Sequence, residues 1–113
     1  ARGLIFKPQM DIPKEFELSL KKIKIFAQKK DSKVYFVYLP EFRRFNAFYY
    51  NEKQFNQIKN LVLNQGITFI DTVDGVFAKE NRALDLFPFK KYGHYTPEGY
   101  NKLADFILKR INN

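Results

Sequence analysis

The sequence predicts an α/β fold built from two parallel strands and three main helices. Three observations lead there. The elements alternate as helix, strand, helix, strand, long loop, helix, an order that implies right-handed crossovers and a parallel sheet. Residues 33–39, KVYFVYL, are apolar toward both faces, as a strand covered on each side by helices requires. The helical segments repeat their apolar residues at i, i+3, i+4 and i+7. Two strands alone leave sheet edges open and give little independent stability. The fold is therefore expected to be partial, completed by further chain or by a partner.

Taken in order, residues 1–13 contain Gly3, Pro8 and Pro13 without periodicity and read as an extended lead-in, with the domain proper over 14–113. From Lys14 a helix is predicted with Phe16, Leu20, Ile23 and Ala27 on one face and lysines on the other, stopping near Asp31-Ser32. The strand over 33–39 follows, and Pro40 ends it. Residues 41–51, EFRRFNAFYYN, form a loop rich in aromatics and arginine. Asn51 with Gln54 resembles a capping box for a second helix that turns Phe55, Ile58, Leu61 and Val62 inward. Gly66 suits a left-handed cap after it. Ile67–Ile70 is a second short strand closed by Asp71. Residues 72–95 are a long approach with a helical turn around Val73–Ala78, and a final helix spans 97–111. Its predicted stripe is Tyr100, Leu103, Ala104, Ile107 and Ile111.

A chain of 113 residues with 45% apolar content supports one modest core. Thirteen Phe and seven Tyr with no Trp make that core aromatic, which demands deep packing partners. There is no cysteine, so neither a disulfide nor a thiolate metal site is available, and the compartment stays open. No apolar run is long enough to span a membrane. The apolar stretch near Ala1 is too short for a signal peptide, and Ala1 suits a processed product or an excised fragment.

Net charge is +8, and residues 1–44 carry eleven Lys/Arg against five acids (+6), with nine against seven (+2) in the rest. Such a balance permits polyanion binding or is simply a solvated lysine face. Lysine outnumbers arginine, which argues against sequence-specific nucleic-acid recognition, where arginine forks dominate.

Residues 85–100, DLFPFKKYGHYTPEGY, hold the only histidine, His94. Thr96 is a good N-cap, Pro97 fits the first helical position, and Glu98 complements the helix dipole. His94 thus sits on a short loop at the mouth of a helix. In open parallel sheets ligands gather beyond the carboxyl ends of the strands, here Tyr38–Glu41 and Ile70–Thr72, and the His94 loop is expected on the same edge. A histidine there acts as a general base, or it simply fixes the loop through a backbone hydrogen bond.

One His with scattered carboxylates lacks zinc spacing. The five glycines form no phosphate cradle. No metal or cofactor is expected. Ser19 and Ser32, the only serines, do not lie on a strand-to-helix elbow, so neither is a credible nucleophile. Arg43, Arg44 and Tyr49 in the aromatic loop, with Tyr95 beside His94, are candidate binding residues; the clustered aromatics equally suit a core plug.

The hydrophobic strand ending in Pro (VYFVYLP), the strand GITFID and above all GHYTPEGYNKLADFI resemble the C-terminal part of an SGNH/GDSL hydrolase over roughly residues 14–111. That resemblance implies a three-layer, flavodoxin-like fold and a Ser–His or Ser–His–Asp acyl-transfer site acting on an ester. By it His94 corresponds to the base that deprotonates the seryl hydroxyl. The family's Asp three residues before the His is Lys91 here, and Asp85 is the nearby carboxylate available as acid partner. The nucleophile and the oxyanion-hole Gly and Asn would lie upstream of Ala1. The chain alone is then expected to be inactive, and to self-associate or pair with the missing half. The other reading is a small basic α/β binding module for a polyanion.

Overall fold

The computed structural model describes residues 12–41, 52–80, 82–87 and 94–112. It is mixed α/β and mostly helical, with a parallel two-stranded sheet. The elements are α1 (Lys14–Lys29), β1 (Tyr35–Tyr38), α2 (Glu52–Asn64), β2 (Thr68–Asp71), α3 (Thr72–Gly75), 3-10 turns at Phe77–Lys79 and Ala83–Leu86, and α4 (Pro97–Ile111). The chain divides into two compact units, Ala1–Val34 with Asn51–Thr68 and Tyr35–Tyr50 with Phe69–Asn113.

The first unit pairs α1 and α2. Leu20 and Ala27 of α1 are buried, Phe16 is half-buried, and Ile23, expected inward, is 49% exposed. From α2, Phe55 and Val62 are buried and Ile58 and Leu61 half-buried, as the spacing predicts. Both helices close with the same hydrogen-bond pair. After α2, Ile67 N–H donates to the Val62 carbonyl (3.3 Å) and Gly66 N–H to that of Leu63 (2.9 Å). After α1, Ser32 N–H donates to the Ala27 carbonyl (2.8 Å) and Asp31 N–H to that of Gln28 (3.2 Å). This Schellman arrangement needs a left-handed residue, supplied by Gly66 at φ 72° and, against the usual steric preference, by Asp31 at φ 54°. The Asn51 cap of α2 lies outside the described residues.

The second unit carries the sheet, of which Thr68 alone belongs to the first unit. Phe69 and Ile70 are both buried although they point to opposite faces, so β2 is covered on each side. Phe36 stacks on Phe69 at 5.7 Å between ring centroids, and Tyr38 stacks on the same ring at 6.2 Å. Beyond the sheet the core is Val76, Phe77, Leu86, Phe87 and Leu103, with Tyr95 and Phe106 packed against it.

Two features depart from the sequence reading. The helical turn expected around Val73–Ala78 is present as α3 and the first 3-10 turn, but the 72–95 approach also supplies four of those five core residues, in and beside the 3-10 turns, whose apolar residues follow neither a 3.6 nor a 2.0 repeat. The inward face of α4 also runs through Gly99, Leu103 and Phe106, while Tyr100 is 48% and Ile111 39% exposed. The reason is steric. A Cβ on Gly99 would stand 3.0 Å from the Leu86 carbonyl oxygen and 3.1 Å from the Tyr95 Cβ. The bare glycine lets the first turn of α4 seat directly on Leu86, which rotates the buried stripe toward it.

Candidate functional site: the His94 edge

Within the second unit, three chain segments meet at the carboxyl ends of the strands. At the end of β2, Asp71 stops the strand and caps α3, its carboxylate accepting from Val73 N–H (2.9 Å) and Asp74 N–H (3.2 Å). Thr72 follows, fully buried, and its hydroxyl donates to the carbonyl of Tyr38 at the end of β1. That bond satisfies a buried hydroxyl and ties the two strand ends together.

The third segment is the His94 loop. Tyr95 reaches across 55 residues of sequence to donate its hydroxyl to the Pro40 carbonyl, just beyond β1. Its ring packs against Phe77 (5.5 Å), Phe87 (5.2 Å) and Tyr100 (5.4 Å). Burial, reinforced by Tyr100 and Glu41, pushes the phenol up to about 12, so it remains a hydrogen-bond donor throughout the physiological range. Thr96 N–H donates to the Leu86 carbonyl (2.7 Å), and the Thr96 hydroxyl accepts from Gly99 N–H (3.0 Å) as the N-cap of α4. His94 is thus the exposed residue immediately ahead of a segment pinned at two consecutive positions.

His94 is open to solvent and adjoins Tyr95, whose hydroxyl reaches the Pro40 carbonyl beyond β1. Asp85 is exposed in the second 3-10 turn, with its carboxylate 3.9 Å from Arg82 Nε. Its neighbour Leu86 is the residue that holds Thr96, so the Asp85 segment runs beside the His94 loop. Tyr95 is built into the core and its hydroxyl is engaged. Arg43, Arg44 and Tyr49 lie outside the described residues, as does Lys91. Ser19 is on the exposed side of α1, and the Ser32 hydroxyl donates to the Lys30 carbonyl (3.3 Å) in the turn after it.

Thr72 is placed at a strand end by the sequence, but its bond to the Tyr38 carbonyl is not. Its signal is the Asp-Thr pair directly after an apolar strand, in which the first residue caps and the second bonds across. Among the described residues no group of three or more His, Asp or Glu is placed to hold a metal. Nor, among them, is any helix long and apolar enough to cross a membrane. Compared with protein-family models, curated proteins and solved structures, the chain matches none.

Proposed function

We propose that this chain is the histidine-bearing C-terminal portion of an SGNH-like ester hydrolase or acyltransferase, the end of a three-layer, flavodoxin-like sheet. His94 is its general base and Asp85 the carboxylate within reach of the loop. The observation that carries the reading is the Tyr95–Pro40 hydrogen bond. It fastens the residue next to the only histidine to the carboxyl end of a parallel strand, where open α/β sheets do their chemistry. The remaining bonds of the loop serve the same end, since a base must be fixed in position and reachable.

His94 in this role accepts the proton of a seryl hydroxyl as that oxygen attacks the ester carbonyl, then delivers it to the departing alkoxide. The serine and the oxyanion donors come from chain upstream of Ala1. The test has two steps. An in-frame extension upstream of Ala1 should encode a Gly-Asp-Ser-like elbow. In that longer protein, His94→Ala should abolish hydrolysis of a simple acetyl ester while the far-ultraviolet circular dichroism is unchanged. Turnover retained in the variant overturns the assignment. A start codon at or just before Ala1 favours the basic binding module instead, for which affinity for a polyanion falls steeply with salt and is indifferent to His94.

A further inference from the structure

One concave surface of the second unit shares no lining residue with the histidine edge. It is a groove of about 450 Å³ in the second unit, between the α3/3-10 segment and the outer half of α4. That volume falls in the range of small-molecule sites. Its floor is apolar, formed by Val76, Gly75 and the Phe106 ring. Gly75 and Phe106 are in close contact at that floor: a Cβ on Gly75 would stand 2.0 Å from the Phe106 Cζ, inside the ring's own space.

The rim is cationic. Lys79, Lys102, Lys109 and Arg110 line the groove with Glu80 and Asp105. Lys102 is matched by Glu80 at 2.6 Å and Glu98 at 3.3 Å. The other three cations of the lining then face one carboxylate, Asp105. Lys109 and Arg110 also occupy the last turn of α4, where the helix dipole favours cations anyway, so their place in the sequence signals nothing by itself. The signal is the placement of Arg110. Its guanidinium lies over the Phe106 ring, 5.9 Å from the centroid, so a planar two-pronged donor stands directly above the apolar floor.

We propose that this groove binds a small amphipathic monocarboxylate, with its apolar tail on Phe106 and Val76 and its carboxylate on Arg110, supported by Lys79 and Lys109. Charge complementarity selects the anion, and the apolar floor selects a tail over inorganic phosphate, which would leave that floor wet. Arg110 suits the head group because its fork meets both oxygens of a carboxylate at once.

The test is an amide NMR titration of the chain with octanoate, run beside octanol and sodium sulfate. Octanoate should give saturable shifts centred on Val76, Lys79, Phe106 and Arg110, whereas octanol and sulfate at equal concentration should not saturate. Arg110→Ala, at an exposed position, should weaken octanoate roughly tenfold, the loss of one charge-assisted pair, and Lys109→Ala should weaken it by less. Octanol binding as tightly as octanoate, or an unchanged affinity in Arg110→Ala, overturns the proposal.

Discussion

The hydroxyl of Tyr95 donates to the carbonyl of Pro40, linking the mouth of the last helix to the end of the first strand. Pro40 is among the fully buried residues of those described, so its carbonyl relies on this bond. Tyr95→Phe keeps the ring packing on Phe77 and Phe87 and removes the oxygen alone. A buried carbonyl left without its donor costs about 1–3 kcal/mol. The urea midpoint of Tyr95→Phe should fall accordingly, and amide exchange should quicken around residues 94–96. An unchanged midpoint and unchanged exchange would show that the loop is held by other means.

The same phenol gives an alkaline signature. An unfolded tyrosine loses its proton near pH 10, while folded Tyr95 keeps its own to about 12. Between those values the folded state binds more protons than the unfolded one, so stability falls as pH rises. The contribution is fully present below about pH 10 and is lost as pH climbs through the folded value. Other tyrosines and lysines titrate nearby, so the diagnostic quantity is the difference between wild type and Tyr95→Phe. Denaturation midpoints from pH 9 to 12 should decline more steeply in wild type; parallel curves would refute the assignment.

A packing test addresses Gly75 and Phe106. The Cβ of Gly75→Ala would overlap the Phe106 ring, with its atoms at 2.0, 2.3 and 2.5 Å. Overpacking of this kind costs about 1–3 kcal/mol. In a Phe106→Ala background the obstruction is gone, so the same substitution should cost only a few tenths and the two changes should be strongly non-additive. Additive losses in a double-mutant cycle would mean that Gly75 is required for another reason.

Much of this architecture was legible in the sequence, because helix ends and amphipathic stripes are written locally. Thr96-Pro97 marks the start of α4 and Gly66 the end of α2, each through a backbone requirement of a single residue. What stayed hidden is set by non-local contact. No local repeat shows that Val76, Phe77, Leu86 and Phe87 form a core, because 3-10 turns present side chains without a sustained period. The buried stripe of α4 is read in part: Leu103 is buried and Ile107 half-buried as the spacing predicts, whereas Tyr100, Ala104 and Ile111 are exposed, because Gly99 counts as a gap in a hydrophobic pattern while in three dimensions it closely approaches Leu86. The histidine edge was half legible: His94 and the strand ends could be placed, but the Thr72 and Tyr95 bonds that join them could not.

Asp31 offers a gain in stability. It holds φ 54° in the turn that closes α1, a conformation costing an ordinary L-residue roughly 1–2 kcal/mol and glycine almost nothing. Asp31→Gly should raise the thermal midpoint, with the net gain trimmed to about 0.5–1 kcal/mol by the greater freedom of glycine in the unfolded chain. Gly66→Ala, at φ 72° in the matching turn of α2, should lower it. Opposite signs in one thermal-melt series are the expected outcome; a destabilised Asp31→Gly would show that the aspartate side chain stabilises the turn by more than its backbone strain costs.

The last prediction concerns assembly. Leu18 and Ala27 are nine residues apart, which at about 100° per residue places them on opposite sides of α1. Ala27 is buried, whereas Leu18 is 47% exposed, as are Ile25 (52%), one full heptad on from Leu18, and the adjacent Phe26 (63%). A helix that buries one face and exposes apolar residues on the other behaves as an internal layer with one neighbour in place. The parallel sheet has two strands among the described residues, and two strands alone give little independent stability. These features together predict self-association of the isolated chain, with sedimentation velocity showing a concentration-dependent shift to larger species. Replacing Leu18 and Ile25 by Lys and Glu should suppress that shift while leaving the Leu20–Ala27 face untouched. A single monomeric boundary for wild type at high concentration, with one cooperative unfolding transition, would mean that the exposed apolar face of α1 does not mediate association.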